Sequence, residues 1–138
     1  MGVSLPPDYK PSRSEDFMNP LQQEYFRLKL LDWKDRLIRD SSEAVHQLQS
    51  ESLRVADDGE RASLETDKRL ALRTRDRARK LIAKIDQALR RIDEGTYGYC
   101  EHTEEPIDLG RLEARPIATL SIQAQERHER SERMHRSD

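Results

Sequence analysis

The sequence is poor in the residues that cross-link, thicken or interrupt a fold. It holds one cysteine, Cys100, so no disulfide can form within the chain. Aromatic residues make up 5% and hydrophobic residues 34%, too few for a thick core in a small domain. No run approaches the roughly 20 apolar residues of a membrane span. The first residues, Met1 to Pro7, hold no basic segment followed by an apolar one, so no secretory signal is expected and cytoplasm is the simplest location. An excess of charge of one sign is missing too. The net charge is −2 in a chain that is 38% charged, which argues against a general nucleic-acid binder and against self-repelling disorder.

Helix breakers are scarce where it matters. No proline stands between Pro20 and Pro106, and Gly59 is the only glycine from Leu21 to Glu94. Proline lacks an amide hydrogen and glycine loses the most backbone entropy, so a long stretch with one breaker near its middle predicts two helices and a turn. The apolar spacing agrees. Phe26, Leu30, Trp33, Leu37, Ala44 and Leu48 follow steps of three, four or seven, with Ser41 in the one missing place. Ala71, Thr74, Ala78, Leu81, Ile85, Ala88 and Ile92 continue such a seam on the second arm. A short connection makes the arms antiparallel, and each would be roughly 50 Å long at 1.5 Å per residue.

The expected fold is therefore dominated by α-helix. A long antiparallel coiled-coil hairpin spans residues 21–94, with its tip near 55–61. Residues 1–20, rich in proline, form an extended or irregular segment. Residues 95–138 form a small lobe, read as a loop over 101–110 and a charged last helix from about Thr119 to Met134. An intramolecular hairpin predicts a monomer.

Three features carry candidate chemistry. The tip, Asp57-Asp58-Gly59-Glu60-Arg61-Ala62, puts carboxylates where they could meet a metal ion, arginines or amides of a partner; the same residues also suit a helix cap, with Glu60 three positions after Asp57. From Ala71 to Ile92 the second arm is basic: Arg73, Arg75, Arg77, Arg79, Lys80, Lys84, Arg90 and Arg91 are opposed only by Asp76 and Asp86. It could dock on an acidic surface or hold phosphates, or be a solvated face with pairs such as Asp76 and Lys80. Third, Cys100-x-x-Thr103 and Ser121-x-x-Ala124 are separated like the halves of a zinc ribbon. Three of these four positions cannot supply a thiolate, and His102 and Glu104 do not complete a closed site, so no bound zinc is expected. His46, His128 and His135 fall on predicted helices as surface residues. No nucleophile, base or phosphate-loop pattern appears, and the protein is not expected to be an enzyme.

Three runs together carry a resemblance: Arg-Thr-Arg-Asp-Arg-Ala-Arg-Lys-Leu-Ile-Ala-Lys-Ile over 73–85, Tyr-Gly-Tyr-Cys over 97–100 and Arg-Leu-Glu-Ala-Arg-Pro over 111–116. The chain resembles the DksA family of RNA polymerase-binding transcription factors from about Met18 to the last helix. The resemblance implies a hairpin with a zinc-finger-like lobe that enters the polymerase secondary channel without binding DNA. It implies action with ppGpp, inhibiting ribosomal RNA promoters and activating some biosynthetic ones. The family's acidic tip falls on Asp57 and Glu60, followed by Arg61 and Ala62, with glutamate in place of the commoner second aspartate. Its nucleotide site falls on Leu81, Lys84 and Arg115, and a further family lysine is Gln125 here. The zinc positions become Cys100, Thr103, Ser121 and Ala124, as in members that do without zinc; Cys100 could then sense redox state or be an inert buried thiol. Two rival readings are a Gre-like transcript-cleavage factor and a structural coiled-coil adaptor.

Overall fold

Asn19 and Pro20 open the first helix. The Asn19 side-chain oxygen accepts from the Gln22 amide at 2.9 Å, the bond expected of an N-cap. Proline suits the first helical position because its missing amide hydrogen would have had no partner there. In the computed structural model, which describes residues 3–55 and 61–136 and side chains over 3–51 and 63–135, this helix, α1, runs over Pro20–Val55. α2 covers Arg61–Glu94, α3 Leu109–Ala114 and α4 Ile122–Arg136. Among the described residues there is no strand, only a bridge between Tyr99 and Pro106. The tip carboxylates Asp57 and Glu60 lie outside the described residues, as do the side chains of Arg61 and Ala62.

Compact units do not follow the helix ends. Leu31–Asp86 forms one unit, and Met1–Leu30 with Gln87–Asp138 forms the other. In the first, Lys34 Nζ sits 2.8 Å from Asp86 Oδ1. Only residues 56–60 join the two helices, so that contact between distant ends requires antiparallel arms. Trp33, Leu37, Ser41, Ala44 and Leu48 are half-buried on α1, and Ala71 and Leu81 on α2, while Ala78 and Ile85 are buried. Steps of seven and of three or four thus do form the seam. Thr74 is the exception. It is exposed, and its hydroxyl donates to the Leu70 carbonyl at 3.0 Å, satisfying itself on its own helix rather than packing. Ile85, fully buried, anchors the seam; truncation to alanine there would cost about 2–4 kcal/mol.

The other unit, the lobe, is built from both ends of the chain. α2 stops at Gly95, whose φ of +79° favours glycine. Thr96 N–H donates to Arg91 O at 2.9 Å and Gly95 N–H to Ile92 O at 3.2 Å, a Schellman close. Gly98 also has positive φ, and a Cβ there would lie 3.1 Å from the Met18 side chain. Met18 itself is held at φ +52°. Its amide donates to Gln22 Oε1 at 2.8 Å and its carbonyl accepts from Gln23 Nε2 at 2.6 Å. Gln22 is fully buried yet satisfied, since its Nε2 donates to Ser12 O at 3.3 Å. Phe26 stacks obliquely on Tyr97 at 5.6 Å between centroids.

Two elements differ from the sequence expectation. The segment read as a loop over 101–110 runs into α3, capped by Asp108, whose side chain accepts from Gly110 N–H at 3.1 Å. Arg13 forks onto the same carboxylate with two bonds of 3.1 Å. The last helix begins at Ile122 rather than near Thr119, because the Ser121 hydroxyl accepts from Ala124 N–H at 3.2 Å and caps it there. It runs to Arg136, slightly past Met134. His46, His128 and His135 are exposed on helices, as expected.

Candidate functional site

The knuckle around Cys100 closes on itself. Ile107 N–H donates to Gly98 O at 2.7 Å, Cys100 N–H to Glu105 O at 2.8 Å and Glu104 N–H to Cys100 O at 2.8 Å. Glu101 N–H reaches Thr119 O at 2.9 Å, which ties the knuckle to the approach to α4. Cys100 is 1% exposed. Burial alone would raise its pKa, but the neighbouring Thr103 hydroxyl and the backbone N–H groups of Ser121, Thr103 and His102 favour the thiolate and together pull it down to about 6.

The four zinc-finger positions now carry one thiol, two hydroxyls and a methyl group. The Thr103 hydroxyl accepts from Glu105 N–H at 3.3 Å. The Ser121 hydroxyl is engaged by Ala124 N–H, and Ala124 contributes a buried methyl group. A closed zinc cage needs four thiolate or imidazole donors in a tetrahedron. One thiolate, two committed hydroxyls and a methyl do not fit it, and among the described residues no three His, Cys, Asp or Glu side chains converge to hold a metal.

The basic arm is sharply asymmetric with its neighbour. On α1, Lys34 pairs with Asp86, Arg36 with Asp32 and Arg39 with Asp35, at 2.8 to 3.2 Å. On α2, Arg73, Arg75, Arg77, Arg79, Lys80 and Lys84 are exposed, and among the described residues none of them has an ion-pair partner. The Asp76–Lys80 pair that spacing allows does not form. Arg91, by contrast, is bound to Glu101 at 2.9 Å. Leu81 is half-buried one turn from exposed Lys84, both within Leu31–Asp86.

In the lobe, the Arg-Leu-Glu-Ala-Arg-Pro run is held almost residue by residue. Arg111 Nε donates to Leu120 O at 2.8 Å. Leu112 is fully buried. Glu113 accepts from the Tyr25 hydroxyl and from Lys29 Nζ, the latter at 3.2 Å. Pro116 O accepts from the buried Tyr97 hydroxyl at 2.8 Å. Burial and Glu113 raise the Tyr25 pKa to about 12; burial first, then the charge of Glu113, raises that of Tyr97. Arg115 ends α3 in an extended conformation, φ −140° and ψ 84°, as a residue before proline prefers. Its side chain is exposed and has no partner among the described residues. Gln125, on α4, donates to Glu129 at 3.1 Å. The supports Tyr25, Lys29 and Glu113 were not singled out from sequence. Half-buried partners so far apart in the chain leave no local pattern, although Glu113 sits inside the most distinctive run.

The comparisons agree with this architecture. Residues 22–92 match the family described as "DnaK suppressor protein DksA, N-terminal domain". Residues 95–130 match "Prokaryotic dksA/traR C4-type zinc finger". A Caulobacter vibrioides protein named "RNA polymerase-binding transcription factor DksA" is 63% identical over 131 residues, covering 95% of this chain and 92% of that protein. The Escherichia coli K12 protein of the same name is 39% identical over 114 residues, covering 83% of this chain and 76% of its own length. The solved structure of transcription factor DksA2 from Pseudomonas aeruginosa overlays with a TM-score of 0.80 at 40% identity, covering 90% of this chain and 94% of that one.

Proposed function

The chain belongs to the DksA family of RNA polymerase-binding transcription factors, and from that premise we propose that it regulates transcription initiation from the polymerase secondary channel, together with ppGpp. The hairpin enters the channel as a monomer in the cytoplasm, and no DNA is bound. Asp57 and Glu60 act at the tip, with Arg61 and Ala62 beside them. Lys84 and Arg115 hold phosphates of ppGpp, and Leu81 packs beside the nucleotide. Ribosomal RNA promoters are inhibited and some biosynthetic promoters activated. The protein acts on the polymerase's chemistry and performs none itself.

The observation that best supports the nucleotide role is Arg115. Arg111, Leu112, Glu113 and Pro116 are each engaged, while the Arg115 guanidinium stays exposed and uncommitted. A guanidinium carried on a hydrogen-bonded backbone, exposed and without a partner among the described residues, suits bidentate phosphate binding. Lys84 is likewise exposed, with no ion-pair partner among the described residues. In this reading the zinc-finger-like lobe holds its shape without zinc; in support, three of the four family zinc positions, Thr103, Ser121 and Ala124, carry no thiolate or imidazole.

The test is in vitro transcription from a ribosomal promoter with and without ppGpp. Lys84→Ala and Arg115→Ala should reduce the response to ppGpp and leave basal polymerase binding largely intact. Gln125→Lys should strengthen it by restoring a phosphate contact. Parent-like responses from both alanine variants would remove the nucleotide assignment.

A further inference from the structure

Two histidines of the lobe have no part in the function above. His102 stands in the knuckle and His128 on α4, and their ring centroids are 6.4 Å apart with the planes at 63°. Both residues are exposed. His128 Nε2 lies 3.1 Å from Glu132 Oε1, one turn along the same helix. In the neutral ring this contact assigns the proton to Nε2 and leaves the lone pair on Nδ1. A carboxylate behind one ring nitrogen orients a histidine ligand and raises the basicity of the other nitrogen.

We infer that His102 and His128 form a two-histidine site for a late first-row divalent cation such as Ni²⁺, Cu²⁺ or Zn²⁺, oriented by Glu132 and completed by water. Two imidazoles that share an ion at about 2.1 Å per nitrogen have centroids about 5–6 Å apart. The observed 6.4 Å between centroids lies just beyond that range, and both side chains are exposed. Imidazole selects these ions over Mg²⁺ and Ca²⁺, which prefer oxygen cages. With only two protein ligands the site is exchangeable, in keeping with the lack of any three-ligand cluster among the described residues. It uses none of Cys100, Thr103, Ser121 and Ala124, so it is distinct from the family's zinc-finger positions. Occupancy would clip the knuckle to α4.

Calorimetric titration of the full chain with nickel chloride, repeated with zinc chloride, tests this. One saturable equivalent is expected, with no thiolate-to-nickel band in the ultraviolet spectrum. His102→Ala and His128→Ala should each weaken binding at least tenfold, and Glu132→Gln a few-fold. His46→Ala and His135→Ala should leave it unchanged. Both rings are exposed, so the variants should keep the parent's helical circular dichroism. The inference is overturned if no saturable binding occurs, or if binding persists unweakened in the double variant His102→Ala/His128→Ala.

Discussion

Replacing Glu113 by alanine removes the acceptor shared by Tyr25 and Lys29. The Lys29 pair is partly exposed, with side-chain exposures of 35% and 40%, and solvent screening limits such a pair to about 1 kcal/mol or less. The Tyr25 hydroxyl bond to an ionised carboxylate is the larger loss, about 1.5–3 kcal/mol, because the half-buried hydroxyl is left without its acceptor. The expected destabilisation is about 2 kcal/mol. For a chain of this size, that lowers the melting temperature by roughly 6–10 °C. Glu113→Gln keeps an acceptor for Tyr25 and discards the charge, so it should lose about half as much. Thermal unfolding followed by far-ultraviolet circular dichroism measures both. A Glu113→Ala protein that melts within a degree of the parent would refute the claim that this carboxylate fastens α3. Assayed well below its melting temperature, the same variant should show a weaker ppGpp response than parent, since it loosens the helix that presents Arg115.

The double variant Asp57→Asn/Glu60→Gln should stay helical and still compete with the parent for polymerase, yet lose most inhibition of a ribosomal promoter; asparagine caps a helix about as well as aspartate, so full inhibition would mean that the carboxylates serve only as a cap. Purified protein should hold well under one zinc per chain and keep its helicity when chelator is added; near-stoichiometric zinc that chelator removes with loss of helicity would contradict a lobe that folds without metal. Tyr25 has a folded pKa raised to about 12 against about 10 in the unfolded chain; its contribution is therefore complete below pH 10 and lost as pH rises toward 12. Stability should fall less over that window in Tyr25→Phe than in the parent, as read by denaturant titration at each pH.

The long helices were legible because periodicity and missing breakers both point the same way over many residues, and the seam of Trp33, Leu37, Ala44, Ala78 and Ile85 followed from spacing alone. Thr74 fits the same spacing but is exposed, since a hydroxyl can satisfy itself on its own helix. α3 was not legible. It is six residues long, contains Gly110, and depends on a cap at Asp108 that Arg13 fastens from 95 residues away. The shift of the α4 start to Ile122 rests on one serine side chain. The nucleotide and tip residues came from resemblance to a family, whereas the backbone commitments of the Thr103 and Ser121 hydroxyls needed coordinates.

The lobe's two-ended construction governs when it can fold. Its fastenings join residues 95 apart at Arg13–Asp108 and 88 apart at Tyr25–Glu113. Closing such long loops costs entropy before any contact repays it, and contacts so distant in sequence slow folding. The Lys34–Asp86 pair of the Leu31–Asp86 unit spans 52 residues, a shorter loop than either fastening of the lobe, so that unit should form first. On the ribosome the opening segment, through Leu30, must wait for nearly the whole chain to emerge. Chains interrupted before α3 would carry a finished hairpin and an unfinished lobe, with Phe26 and Leu30 deprived of part of their cover, and would be ready substrates for proteolysis.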